Sequence, residues 1–177
     1  MSTNILVTGI PVLGDPSAKL KFTKKIGKDQ IGYIREGARI SQKEYQYREG
    51  SSLIRFLLLE VSQDDGFKNM RKELYKNAKA GIAVFEFTNK NSLENLLTYV
   101  SEFCNFTNHK VSLLLVGHSV NLIKEEPTEV SLDMVREYKG KIKEEIDGED
   151  FLYSEIPSYY EDFREYFDFL AKAVLKK

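Results

Sequence analysis

The sequence has little of what stabilises a small secreted domain or builds a metal site. Its 177 residues include one cysteine, Cys104, and two histidines. A lone thiol forms no disulfide framework and this set builds no Cys/His zinc cluster, so a reducing, cytoplasmic setting is expected and no metal. Charge of one sign is also lacking: 26 Lys+Arg face 27 Asp+Glu, a net charge of -1. That balance removes any global reason to expect nucleic acid or an anionic membrane as partner. No apolar run reaches the roughly 18 residues of a membrane span. Ser2 stands where myristoylation needs glycine and the closing AVLKK has no cysteine to prenylate, so no membrane anchor is expected. Asn105-Phe106-Thr107 matches a glycosylation acceptor, but no signal peptide accompanies it. Repeats and low-complexity tracts are missing.

What is present is a set of short, continuously apolar runs: NILVT (4–8), SLIRFLLLEV (52–61), GIAVFEFT (81–88) and KVSLLLVG (110–117). Runs of that kind suit strands buried on both faces. Amphipathic segments lie between and after them. Phe67, Met70, Leu74 and Ala78 share one helical face; Leu93, Leu96, Leu97, Val100 and Phe103 share a second; Phe163, Phe167, Leu170 and Val174 share a third. Asn91 to Glu94 and Ser158 to Glu161 resemble capping boxes, which places helix starts there. Ser131 to Ile146 reads as a further, mostly exposed helix, and DFLYS (150–154) as one more strand. Strands alternating with helices predict one α/β domain over residues 1–177, with a mostly parallel sheet and helices on both faces. The polar, glycine-containing stretch from Gly27 to Glu49 reads as a long loop followed by a peripheral strand around YQYR.

The stretch GIPVLGDPSAKL, Gly9 to Leu20, carries two glycines at the spacing of a phosphate-binding loop. That motif is G-x4-G-K-[S/T]: backbone N–H groups wrap the phosphates, lysine neutralises them and the hydroxyl holds magnesium. Here Gly9 and Gly14 take the glycine positions, Asp15 the lysine position and Pro16 the hydroxyl position. Exchanging a lysine for an aspartate about 4 Å from a phosphate turns attraction into repulsion, a swing on the order of 8 kcal/mol at an effective dielectric near 20. That rivals the whole ~8.2 kcal/mol of micromolar binding. Asp followed by Pro is also a favourable helix opening, so Asp15 is expected to cap this helix N-terminus in place of a phosphate. Lys19 and Lys21 read as solvated surface lysines.

With this order of elements, the chain resembles the Ras-like small GTPases over nearly its full length. The likeness is carried by MRKELYKNAKAGIAVFEFTNKNSLENL (70–96), LLLVGHSVNL (113–122) and DFREYFDFLAKAVL (162–175). It implies a P-loop three-layer α/β sandwich: a mostly parallel six-stranded sheet, one antiparallel edge strand and about five helices. It also implies where the nucleotide groups should stand. Glu60, Gln63 and Asp64 fall on the D-x-x-G motif and the water-orienting position after it. His118, Ser119 and Asn121 fall on the guanine-reading N-K-x-D motif. An asparagine amide has one accepting oxygen, so Asn121 cannot serve both guanine donors as a carboxylate does. The final S-A-K motif is replaced near EIPS (155–158), and the switch threonine falls near Ala38, with Ser41 the nearest hydroxyl.

These departures together predict a pseudo-GTPase: a Ras-like domain without catalytic residues or cofactor that serves as a protein-binding scaffold or regulatory subunit. The docking surface implied by the family's switch regions runs over Gln30 to Tyr47 and Asp64 to Tyr75, with Tyr33, Tyr45, Tyr47, Phe67, Arg71 and Tyr75 as candidate contacts. Tyr159 and Tyr160 are further candidate exposed aromatics. The alternative is an atypical GTPase or purine-nucleotide switch that keeps GTP or GDP and magnesium weakly, through backbone donors and a displaced lysine. An unrelated parallel-sheet binding domain is a third reading, and strand order discriminates it.

Overall fold

The computed structural model describes residues 5–26, 29–47, 52–107, 110–118, 127–147, 149–156 and 162–176, the side chains of 29–35 excepted. Its elements are β1 (Ile5–Leu13), α1 (Pro16–Ile26), β2 (Asp29–Arg35), β3 (Ala38–Gln46), β4 (Leu53–Val61), α2 (Lys68–Tyr75), β5 (Ala80–Glu86), α3 (Lys90–Phe106), β6 (Ser112–His118), α4 (Leu132–Glu145), β7 (Phe151–Ile156) and α5 (Arg164–Leu175). A 3-10 turn, Asp65–Phe67, leads into α2.

The strands form one sheet in the order β2-β3-β4-β1-β5-β6-β7. β4, β1, β5, β6 and β7 run parallel, and β3 runs antiparallel to both β4 and β2. Among the described residues the α/β class, the five helices and the antiparallel strand near one edge are as expected. Among the described residues the sheet has seven strands because β2 adds to the expected six. Within the segment read as a long loop and peripheral strand, residues 29–46 therefore form a β2–β3 hairpin, closed at Glu36-Gly37 with Gly37 at φ 81°. A hairpin at the sheet edge can keep polar residues on its solvent side, so it lacks the continuous apolar run that marks β5 and β6.

Two apolar layers sandwich the sheet. On one side Ala18, Phe22 and Ile26 of α1 and Phe167, Leu170 and Val174 of α5 pack with Ile10, Val12, Ile54, Phe56 and Leu58. On the other, Tyr75 of α2, Leu93, Leu96, Val100 and Phe103 of α3, and Val135 and Ile142 of α4 pack with Leu13, Ala83, Phe85, Leu113 and Leu115. The strand residues alternate between the two clusters, which is the period-2 geometry of a sheet covered on both faces. Each fully buried side chain of this kind contributes about 1.5–3 kcal/mol of transfer free energy.

Two helix starts differ from the sequence reading. α3 is capped by Asn89, whose side chain accepts from Ser92 N–H, two residues before the expected Asn91. Ser92 is instead buried, its hydroxyl bonded to the backbone of Glu86 and Asn89. α5 begins at Arg164, whose N–H is bonded by the Asp162 carboxylate at 3.1 Å; the expected box at Ser158 lies outside the described residues, as do Tyr159 and Tyr160. The exposed helix expected from Ser131 is α4, with the Ser131 hydroxyl accepting from Met134 N–H. Among the described residues no helix is long and apolar enough to cross a membrane.

Candidate functional site

Strand order reverses around β1, which pairs with β4 over Ile5 to Pro11 and with β5 at Val12 and Leu13. In open α/β sheets the carboxyl ends of strands at such a reversal form the crevice where ligands bind. Here that place is a cleft of about 320 Å³ lined by Pro16, Lys19, Leu20, Gly37, Ala38, Arg39, Glu60, Val61 and Ser62.

The connection from β1 to α1 consists of Gly14 and Asp15 alone. Gly9 through Leu13, read from the sequence as a phosphate loop between Gly9 and Gly14, are strand. Ile10 and Val12 are fully buried in one apolar layer and Leu13 in the other, and a loop would pull all three out. Gly14 stands at the turn with φ 144°, and a Cβ there would lie 2.5 Å from the Val84 carbonyl oxygen. Only glycine tolerates both the dihedral and the approach.

Asp15 does not cap its own helix. Its carboxylate accepts from Tyr99 Oη at 2.9 Å and Asn95 Nδ2 at 3.2 Å, both on α3. α1 nevertheless begins at Pro16, where a missing N–H costs nothing. The bond to Asp15, after burial itself, helps push the Tyr99 hydroxyl up to about 12.

Lys19 departs furthest from its reading as a surface lysine. It is 4% exposed, and Nζ donates to the Val61 carbonyl at 2.6 Å. Burial pushes its pKa down to about 8, with Arg71 and Arg39 acting the same way and Glu60 and Asp15 opposing. Counted from Gly14, it stands one residue short of the lysine spacing in G-x4-G-K-[S/T].

Glu60, 6% exposed, sits opposite Arg39 in the β3–β4 register. The two form a forked ion pair: Arg39 Nε donates to Oε1 at 3.0 Å and Nη2 donates to Oε2. Nη2 also reaches the Thr23 hydroxyl at 3.4 Å. The sequence reading missed Arg39, and only the hairpin register identifies it as a cross-strand partner.

The segment after β4 is stitched to the hairpin turn and to α2. Ser62 N–H donates to the Gly37 carbonyl at 2.7 Å, and Gly37 leaves room for the Phe67 ring, which a Cβ would meet at 2.4 Å. The Ser62 hydroxyl donates to the Asp64 carboxylate at 3.0 Å. Arg71 Nη1 donates to the carbonyls of Ser62 and Asp64 at 2.6 and 2.9 Å. Gln63 Nε2 is buried without a hydrogen-bond partner among the described residues.

Several expected contact residues point inward. Arg71 is 2% exposed and Tyr75 is 1% exposed, while Tyr47 lies in the core beside α5. Tyr45 is half-buried, its hydroxyl 2.5 Å from the Asp168 carboxylate and its ring 5.6 Å from that of Phe167. Phe67 is half-buried against the α2–α3 layer. Tyr33 lies in β2, but its side chain falls outside the described residues.

At the other end of the crevice, His118 closes β6 with Nε2 buried and unpartnered among the described residues; burial, then the Lys25 charge, hold its pKa below the usual value. Next to it Lys21 of α1 forms an ion pair with the buried Glu86. Ser119 and Asn121 lie outside the described residues. Among the described residues, no cluster of three His, Cys, Asp or Glu side chains could hold a metal ion.

Residues 14–171 match the family described as the Ras family. The chain is 28% identical over 134 residues to the GTP-binding protein YPT52 of Saccharomyces cerevisiae, covering 69% of this chain and 57% of that protein. It is 24% identical over 130 residues to the GTP-binding protein YPT53 of the same yeast, covering 71% of this chain and 56% of that protein. It thus spans a little over half the length of these curated relatives.

Proposed function

Given that the chain belongs to the Ras family, we propose that it works without a guanine nucleotide, as a protein-binding module that has lost its phosphate loop. The observation that carries this reading is the two-residue connection Gly14-Asp15 between β1 and α1. A phosphate loop wraps the anion with successive backbone N–H groups, and two residues ending in a helix that starts with proline cannot form that wrap.

The side chains support the same reading. A nucleotide with magnesium, as the family implies, does not fit the donor set: Glu60 is neutralised by Arg39, and the Lys19 ammonium already gives one of its three donors to a main-chain carbonyl. Asp15 brings a carboxylate to the helix N-terminus. The segments that would move with a nucleotide are tied together by the Ser62–Gly37 hydrogen bond and the Arg71 contacts. The docking face that remains is the hairpin turn at Glu36-Gly37 with the exposed run Asp64, Asp65, Gly66, Lys68 and Asn69 beside Phe67.

The test is to denature freshly purified protein, analyse the supernatant for nucleotides by mass spectrometry, and titrate native protein calorimetrically with GTP and GDP in magnesium. No released nucleotide and no binding below about 100 μM is expected; stoichiometric GTP or GDP would overturn the reading. Lys19 supports one competing reading, a weak purine-nucleotide switch, because its side chain does line the cleft. The same titration separates the two.

A further inference from the structure

The cleft holds more hydrogen-bond donors than its own residues use. Lys19 Nζ has three N–H groups, and among the described residues its one partner is the Val61 carbonyl. Arg39 directs Nε and Nη2 to Glu60 and Thr23, which leaves both Nη1 protons without a partner among the described residues. Both cations line the same cleft, whose remaining wall is largely apolar: Pro16, Leu20, Ala38 and Val61.

The charges narrow what can fill it. Lys19 and Arg39 carry two positive charges and Glu60 one negative, so the cleft is left with one unbalanced positive charge. Asp15 lies outside the cleft lining, hydrogen-bonded to Tyr99 and Asn95; it keeps its charge, which is the weakest of the influences acting on Lys19, and Arg71 is neutralised by Glu102. A single positive charge with a few convergent donors matches a monoanion with two acceptor oxygens, and falls short of a di- or triphosphate.

We propose that this cleft is a docking pocket for one carboxylate side chain, Asp or Glu, presented by a protein partner. The hairpin turn at Gly37 and the segment at Ser62, hydrogen-bonded to each other, both line the cleft, so an acidic side chain inserted there would anchor a partner lying on both. This rests on the protein-binding reading and names the chemistry that reading requires. It also accounts for a nearly buried ammonium that its surroundings hold at a lowered pKa of about 8: a lysine so placed is poorly used by the free protein and well used by an entering anion.

The experiment follows the lysine Cε–Hε, arginine Nε–Hε and backbone amide signals by NMR while the protein is titrated with N-acetyl-glutamate N-methylamide, the matching glutamine compound and inorganic phosphate. For the glutamate compound a Kd on the order of 1–10 mM is expected. Shifts should be confined to Lys19, Arg39 and the Ser62 amide, and the Lys19 titration midpoint should rise by about one unit. The glutamine compound should bind at least tenfold more weakly, and Lys19→Met should abolish the glutamate response. If that variant does not fold, the glutamate-against-glutamine comparison decides alone. Equal responses to glutamate and glutamine, no response, or tighter binding of phosphate than of glutamate overturns the proposal. Nucleotide binding is scored in the separate calorimetric titration, so failure of the nucleotide-independent reading is told apart from failure of the pocket.

Discussion

Arg71 and Glu102 meet side-on, Nε to Oε1 at 2.6 Å and Nη2 to Oε2 at 3.1 Å, while the remaining Arg71 nitrogen holds the carbonyls of Ser62 and Asp64. One side chain of α2 thereby fastens the segment after β4 onto α3. A guanidinium suits this task because its planar fork serves a carboxylate and two carbonyls at once.

Arg71→Met keeps most of the volume but leaves the Glu102 carboxylate and two carbonyls unpaired. Breaking a buried pair from one side costs about 3–5 kcal/mol, and because Glu102 keeps 22% of its side chain in solvent the lower end is expected. Urea unfolding should show a lower midpoint at unchanged slope, with faster amide exchange at residues 62–64. A loss under 1 kcal/mol would mean that the clamp is not structural.

The double substitution Asp15→Lys, Pro16→Ser restores the letters of G-x4-G-K-S counted from Gly9. It is expected to leave fluorescent GTP-analogue binding undetectable, since Gly9 to Leu13 are strand and form no loop. Gain of micromolar binding would mean that β1 can be peeled back into a phosphate loop.

Tyr75 buries its hydroxyl without a hydrogen-bond partner among the described residues, and burial pushes its pKa well above the usual range. Tyr75→Phe should therefore be neutral or raise stability by about 1 kcal/mol, the lower end of the desolvation penalty of an unmade bond. Tyr75→Ala should cost about 3–5 kcal/mol through the cavity it leaves. Thermal unfolding of the pair checks both signs.

Lys19 gives the protein a pH dependence on the alkaline side. Its folded pKa of about 8 lies below the unfolded 10.5. Between those values the unfolded chain binds more protons than the folded one, so stability rises with pH there. Below the folded pKa the penalty for the buried charge is fully present, on the order of 3 kcal/mol. Measured against Lys19→Met, wild type should gain stability from pH 7.5 to 10; a flat difference would show that the ammonium is well solvated.

The fold was legible where burial leaves a periodic trace. Three strands announced themselves as apolar runs because β4, β5 and β6 each have a neighbour on both sides and helices over both faces; the run NILVT did mark β1, but Ile5, Leu6 and Val7 are exposed and the buried part of that strand is Ile10 to Leu13. The hairpin was illegible for the opposite reason, since β3 mixes Ser41, Gln42, Lys43 and Glu44 into a strand near the sheet edge. The site was legible only in part. Asp15-Pro16 did mark the start of α1, but the Asp15 carboxylate found partners 80 and 84 residues away on α3.

By itself, then, the sequence determined the layered α/β class, the positions of the buried strands and the helix faces, because these follow from neighbours within one turn or one pleat. The tertiary structure decided that Gly14 and not Gly9 closes the strand, that Lys19 and Arg71 turn inward, and that Arg39 faces Glu60. Those outcomes depend on strand register and on side chains meeting across β4, β3 and α3. Such contacts between distant segments have no period within any one segment of the chain.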